Sequence, residues 1–136
     1  FYNKLEDEIN DCYYSGFPNA TFFLYRKMIE NLLLEILRNK FSGREELWWK
    51  KEGDFNQAHS LSQLIKNLYE QRKDFDPLIQ KYIEQAYPLL KKIRDIVNPT
   101  AHNIYEYFNS IVDLKQFKIE YLSQLIISIL DDTQKK

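Results

Sequence analysis

The amino-acid sequence predicts an all-α fold, a single-domain bundle of about five helices over residues 1–136. Residues that break helices are scarce, with 3 glycines and 4 prolines, whereas Leu, Ile, Lys and Glu are plentiful. Five segments repeat apolar residues at the three- and four-residue spacing of an amphipathic helix. The length suits one domain with one hydrophobic core.

Two helices are predicted in the first third of the chain. The first covers about residues 4–14 and stops at Ser15-Gly16, because glycine readily adopts the backbone conformation that ends a helix. The second covers about residues 20–41 and stops at Ser42-Gly43 for the same reason. Its apolar face is the most regular in the chain and contains Phe22, Ile29, Leu33 and Ile36.

The segment 42–55 has a mixed pattern and is predicted to be a loop with a short helical turn. It contains the adjacent Trp48 and Trp49, followed by Lys50 and Lys51. Aromatic and basic side chains in such a cluster can stack on nucleic-acid bases. Neighbouring tryptophans also anchor long loops to a core, and anchoring is the favoured interpretation here.

A third helix is predicted over about residues 58–72 and a final one over about residues 113–132, both with apolar residues at helical spacing. His59 falls near the start of the third helix. It is interpreted as a capping or surface residue.

The fourth predicted helix covers residues 77–97 and contains Pro88. Proline removes a backbone donor and clashes with the preceding turn, so a kink or a break is expected near Tyr87. The helix should end at Asn98-Pro99, because the residue before a proline avoids the helical region of backbone conformation.

The charge balance limits the kinds of partner that the whole molecule can attract. There are 19 basic and 20 acidic residues, and the formal net charge is -1. No general attraction to nucleic acid or to an anionic membrane follows from this balance, so any phosphate binding must be local. No apolar run reaches the length needed to span a bilayer and no leader-like segment opens the chain, so no membrane partner and a cytoplasmic location are expected.

Cofactor chemistry receives no support from the sequence. The single cysteine excludes an internal disulfide, and it lies far from the 2 histidines. Their spacing matches neither zinc nor di-iron ligand patterns. No metal and no cofactor are therefore expected.

Two charged residues interrupt the apolar face of the second predicted helix. Arg26 and Glu30 lie four residues apart, and in projection both fall within the apolar arc. Burying charge is unfavourable unless the charges are paired. One interpretation is a partly buried structural ion pair, and the other is that the two residues line a site or orient a catalytic turn.

The stretch RDIVNPTAH runs from Arg94 to His102. It combines side chains that can bind phosphate and exchange protons with an Asn-Pro stop that reverses or redirects the chain. If the turn at Asn98 returns His102 to Arg94, the arginine could bind a phosphate while the histidine exchanges protons near neutral pH. Asn98 could then hold the turn or orient the imidazole. The alternative is a helix stop followed by a structural histidine.

The two charged motifs together resemble those of the HEPN superfamily, the "higher eukaryotes and prokaryotes nucleotide-binding" helical domains. The similarity is to a branch of uncharacterised domains found beside restriction and other defence proteins, with an R-x-x-x-E helix followed later by an R-x-x-G-N-x-x-A-H turn. It covers about residues 17–130. Arg26 and Glu30 correspond to the first motif. The residues that correspond to the second are Arg94, Asn98, Ala101 and His102.

The resemblance implies a function and a set of partners. Ribonuclease members carry a polar residue after the motif arginine, a place that Asp95 occupies. Two positions depart from the family pattern. Val97 stands where the branch has glycine, and the seven residues between Arg94 and His102 are a longer interval than the ribonuclease members have. The implied activity is metal-independent RNA cleavage in a defence or toxin system, by a homodimer paired through the face that holds the turn.

The alternative function is a non-catalytic module for dimerisation or for nucleotide or protein interaction. The expected partners are therefore a second copy of the chain, RNA or a nucleotide, and a protein or domain of a defence system.

Overall fold

The structure is a computed structural model that describes residues 2–14, 18–97 and 118–134. In these ranges it contains five α-helices and one two-stranded antiparallel sheet, which confirms the all-α prediction. There are also two 3-10 turns in these ranges. Glu45–Leu47 precedes the first strand, and Arg72–Asp74 lies between the third and fourth helices. The helices and strands in chain order are α1 Tyr2–Tyr14, α2 Pro18–Lys40, β1 Trp49–Glu52, β2 Phe55–Ala58, α3 Leu61–Glu70, α4 Pro77–Val97 and α5 Ile119–Gln134.

Helix α2 lies at the centre of the described bundle and packs against α1, α3 and α5. Apolar residues that recur every three to four positions form its buried side, as the sequence pattern predicts. Each fully buried aliphatic or aromatic side chain contributes about 1.5–3 kcal/mol relative to an exposed one. The α2 residues with 0% exposure are Phe22, Ile29, Leu33, Ile36 and Leu37.

Side-chain contacts establish the direction of α5 relative to α2. Tyr25 in the first half of α2 bonds to Ser123 near the start of α5. Asn39 near the end of α2 bonds to Thr133 near the end of α5. The two helices therefore run in the same direction.

Helix α4 runs in the opposite direction to α2 and α5. Phe75, just before α4, makes an edge-to-face contact with Phe41, just after α2, with ring centroids 6.0 Å apart. Further along α4, Gln85 accepts a hydrogen bond from Tyr121 in the first turn of α5. The last turn of α4, which carries Arg94, therefore lies toward the end of the bundle where α2 and α5 begin.

Helix α4 continues through Pro88 without interruption. Of the two outcomes predicted near Tyr87, a kink or a break, the break is wrong. Pro88 is exposed, so its ring and its missing N–H lie on the solvent side, while Ala86 and Leu90 on the other side remain buried. Packing of the buried side offsets the lost backbone hydrogen bond.

The segment 42–55 contains more structure than predicted. The expected short helical turn is confirmed at Glu45–Leu47, but a β-hairpin follows it. β1 and β2 pair in the register Trp49↔Ala58 to Glu52↔Phe55, and Gly53-Asp54 forms the two-residue loop. Gly53 has φ +58, a conformation that glycine adopts without strain.

The hairpin shortens α3 at its start. The predicted helix over residues 58–72 begins instead at Leu61, because Ala58 belongs to β2. Ser60 caps α3 by accepting a hydrogen bond from the Gln63 backbone N–H at 3.3 Å. His59 is thus not the capping residue: it is partly buried, and its Nε2 donates to the Glu46 carbonyl at 2.7 Å.

The two tryptophans anchor the hairpin, as the favoured interpretation predicted. Trp48 is buried in the core and Trp49 packs against it. Asn67 of α3 reinforces the anchor, since its buried amide donates to the Leu47 carbonyl at 2.8 Å and accepts from Gln63. The Trp48 indole is therefore not available as a platform for nucleic-acid bases, and the Trp49 indole is only partly exposed.

Candidate functional site

Four of the six predicted site residues belong to the described part of the chain. Arg26 and Glu30 lie in α2, and Arg94 and Asp95 lie in the last turn of α4. Asn98 and His102 lie outside the described residues, in the stretch 98–117. The pairing of Arg94 with His102, and the role of Asn98 in the turn, therefore stay predictions.

Arg94 lies at the margin of the buried side of α4. Its neighbour Ile93 is fully buried, whereas the Arg94 side chain keeps 23% of its surface exposed. A long side chain in this position can cover apolar surface with its stem while its guanidinium reaches solvent.

The guanidinium of Arg94 is held by the next residue along the chain. Its Nε donates to Oδ1 of Asp95 at 3.0 Å, and its Nη2 lies 2.9 Å from the same oxygen. Adjacent helical side chains normally diverge by about 100°, so the guanidinium reaches sideways around the helix to make this contact. Asp95 is well exposed, with 64% of its side chain accessible.

The pair also has an electrostatic effect on the helix itself. A cation in the last turn of a helix interacts favourably with the helix dipole, and an anion interacts unfavourably. Arg94 therefore suits its position, whereas Asp95 does not. The contact between them offsets the unfavourable placement of the carboxylate.

Arg26 and Glu30 form the predicted ion pair within α2. Nη2 of Arg26 lies 3.6 Å from Oε1 of Glu30, and the two side chains are 24% and 36% exposed. This confirms a partly buried ion pair, although the separation exceeds hydrogen-bonding range. Within the part of the chain that the structure describes, Nε of Arg26 is buried and has no acceptor. Whether the pair also lines a site stays a prediction.

Tyr25 is a buried polar residue that the sequence pattern did not single out. Its hydroxyl donates to the Ile119 carbonyl at 3.0 Å and also lies 3.0 Å from the Ser123 hydroxyl. Burial raises the pKa of the Tyr25 phenol well above its ordinary range, although the hydrogen bond with Ser123 acts in the opposite direction. Because Ser123 is 98 residues away in sequence, local spacing contains no signal for this contact.

A second group that sequence reasoning missed joins α3 to α4. The rings of Tyr69 and Tyr87 stack with centroids 3.9 Å apart. Arg72 covers the Tyr69 ring at 4.0 Å, and the ammonium of Lys91 lies 5.1 Å from the centroid of Tyr87. The ring faces are thus occupied by cations and by each other, which favours helix packing over stacking on bases.

Among residues 2–14, 18–97 and 118–134 no three or more His, Cys, Asp or Glu side chains are grouped in a way that could hold a metal ion. None of the helices in these ranges combines the length and apolar character needed to cross a membrane.

The fold and the charged residues define the chain as an α-helical domain with an arginine–carboxylate pair at the end of α4. The chain matches none of the family models, none of the curated proteins and none of the solved structures with which it was compared.

Proposed function

We propose that the chain is a HEPN-like domain of a defence or toxin system and cleaves RNA without a metal ion. In this proposal Arg94 binds the scissile phosphate, and His102 takes the proton from a ribose 2′-hydroxyl or gives one to the leaving oxygen. Asn98 organises the turn between them. Arg26 and Glu30 support the site from α2, and a second copy of the chain completes a homodimer.

The observation that carries this proposal is the position of Arg94. Its guanidinium lies at the end of α4, only a few residues before Asn98 and His102 in the sequence, and it is partly exposed rather than buried in the core. A planar guanidinium offers two parallel donors to phosphate oxygens. The side chain is 23% exposed, so a phosphate can approach the guanidinium from solvent once Asp95 gives up its contact with Nε and Nη2.

RNA cleavage in the presence of a chelator tests the proposal. Labelled single-stranded RNA is incubated with the wild-type chain and with His102→Ala and Arg94→Ala. We expect each variant to lose about 100-fold or more of the cleavage rate, because general acid–base catalysis and electrostatic stabilisation each contribute at least that much.

Matched variants separate loss of chemistry from loss of folding. His59→Ala removes the other histidine, and Arg38→Ala removes an exposed arginine from the last turn of α2. Both should retain cleavage, with any decrease no larger than their measured loss of stability explains. Cleavage that persists unchanged in His102→Ala and Arg94→Ala would identify a contaminating nuclease and remove the ribonuclease proposal.

The second candidate is a non-catalytic module for dimerisation or for nucleotide or protein interaction. It is favoured by the Arg94–Asp95 contact, because donors of Arg94 are already paired with a carboxylate inside the chain, as in a purely structural role. In that case His102→Ala and Arg94→Ala lower the melting temperature, and the wild-type chain has no chelator-resistant cleavage activity.

A further inference from the structure

We infer that Asp95 competes with phosphate for the guanidinium of Arg94, so that an anionic ligand must displace a carboxylate that the chain itself supplies. The inference depends on the proposed role of Arg94 as the phosphate-binding residue. It assigns to Asp95 a function that opposes binding.

The geometry of the pair carries the inference. Nε and Nη2 form one edge of the guanidinium, the edge whose two parallel N–H groups match two oxygens of a phosphate. In the structure both nitrogens lie against Oδ1 of Asp95, at 3.0 and 2.9 Å. A phosphate that takes this edge must therefore break both contacts.

The accessibility of the two groups makes the exchange feasible. The Asp95 carboxylate is 64% exposed, so water can solvate it as soon as it leaves the arginine. The Arg94 side chain is less accessible, at 23%, so the residues packed around it restrict its movement more. The carboxylate can thus swing away while the guanidinium stays at the end of α4.

The strength of the contact limits the expected effect. An ion pair with an exposed partner stabilises a protein only modestly, because water and salt screen it. Removing the carboxylate charge should therefore improve phosphate binding about three- to five-fold, rather than by orders of magnitude.

Binding of inorganic phosphate to Asp95→Asn tests the inference independently of RNA cleavage. The Nε–H signal of Arg94 is followed by ¹⁵N NMR during a phosphate titration, and is assigned by its loss in Arg94→Lys. We expect the midpoint for Asp95→Asn to fall about three- to five-fold below that of the wild type.

Asp131→Asn is the matched control. It makes the same change in net charge in the last turn of α5, at the other end of the bundle. Its midpoint should stay close to that of the wild type. A shared change in Asp95→Asn and Asp131→Asn would reflect overall charge and would overturn the inference.

The remaining outcomes distinguish the inference from the proposed function. If phosphate shifts the Arg94 signal equally in the wild type and in Asp95→Asn, competition is excluded while the phosphate-binding role survives. If phosphate shifts the signal in neither, the inference fails together with that role. If the phosphate titration has a lower midpoint in Asp95→Asn but the wild type cleaves no RNA, the competition is supported and only the proposed ribonuclease activity is removed.

Discussion

Tyr25 shows how a single residue can join distant parts of the chain. Its hydroxyl connects α2 to the beginning of α5 through Ile119 and Ser123. Burial of such a group is favourable only when its hydrogen-bonding capacity is used. The Tyr25 contact therefore contributes both to stability and to the relative position of the two helices.

Replacing Tyr25 with phenylalanine should lower the free energy of unfolding by about 1 kcal/mol, because the ring still fills the core but its hydrogen bonds are lost. Urea denaturation at neutral pH measures this change. Tyr121→Phe is the control, since Tyr121 is exposed and bonds only to the surface residue Gln85 among the described contacts. An equal effect in both variants would contradict the buried role of Tyr25.

The raised pKa of Tyr25 predicts a dependence of stability on alkaline pH. In the unfolded chain the phenol loses its proton at about pH 10, whereas in the folded chain it holds the proton to higher pH. Above about pH 10 the folded state therefore binds more protons, and its stability decreases as pH rises.

Denaturation profiles between about pH 9 and 11 should thus fall less steeply for Tyr25→Phe than for the wild type. Tyr121→Phe should retain the wild-type slope. Parallel profiles for the wild type and Tyr25→Phe would show that other groups account for the whole alkaline dependence.

Among the elements, the hairpin depends on α3 for its position. A two-stranded sheet is only marginally stable by itself in water. Here Trp48 enters the core, and the amide of Asn67 satisfies the Leu47 carbonyl just before the strand. The buried amide therefore couples the hairpin to the bundle.

Asn67→Ala should destabilise the chain by about 1–3 kcal/mol, because it leaves the Leu47 carbonyl without its partner. Hydrogen exchange should accelerate most at the amides of β1 and β2. Gln63→Ala serves as the comparison, since it removes only the outer hydrogen bond to Asn67. Unchanged exchange in the hairpin of Asn67→Ala would show that the tryptophans alone hold it in place.

Pro88 provides a second prediction for a single element. It lies on the exposed side of a continuous α4, where it removes one backbone hydrogen bond. Pro88→Ala should raise the free energy of unfolding by about 1–3 kcal/mol, within the proline penalty for a helix interior. Urea denaturation measures this change. A lower free energy of unfolding in Pro88→Ala would show that the packing of Leu89 and Leu90 requires the geometry that proline imposes.

For the whole molecule, α2 is the helix against which α1, α3 and α5 pack. Leu33→Ala should therefore destabilise the fold by about 2–5 kcal/mol, since Leu33 is fully buried and its truncation leaves a cavity. Helical circular dichroism and the fluorescence of Trp48 and Trp49 should change together in urea. Phe23→Ala, at a position 38% exposed on the same helix, should lower the free energy of unfolding far less. Transitions at different urea concentrations would indicate that the hairpin and the helices unfold separately.

Several features of the molecule followed from local sequence pattern. The apolar spacing of α2 predicted the face that is buried, and the four-residue interval between Arg26 and Glu30 predicted their ion pair. Gly53 lies in the tight turn of the hairpin, with φ +58. The glycine-terminated helix end predicted at Ser42-Gly43 is wrong, because α2 ends at Lys40 and Gly43 does not have a positive φ. The hairpin was nevertheless missed, although Gly53-Asp54 between two short segments is a recognised signal for a two-residue hairpin loop.

The sequence by itself determined the helical class, the approximate limits of α1, α2 and α4 and the apolar face of α2, because these depend on backbone preferences and on residue spacing along one element. The starts of α3 and α5 were predicted too early, at about residues 58 and 113, whereas these helices begin at Leu61 and Ile119. Only the tertiary structure decided that Tyr25 bonds to α5, that Tyr69 stacks on Tyr87 and that Arg94 reaches sideways to Asp95. Contacts between elements, such as those of Tyr25 and Tyr69, depend on how the helices pack. A contact between neighbouring residues, such as Arg94 and Asp95, depends on the side-chain rotamers that they adopt. Neither is encoded in the spacing of residues along a single helix.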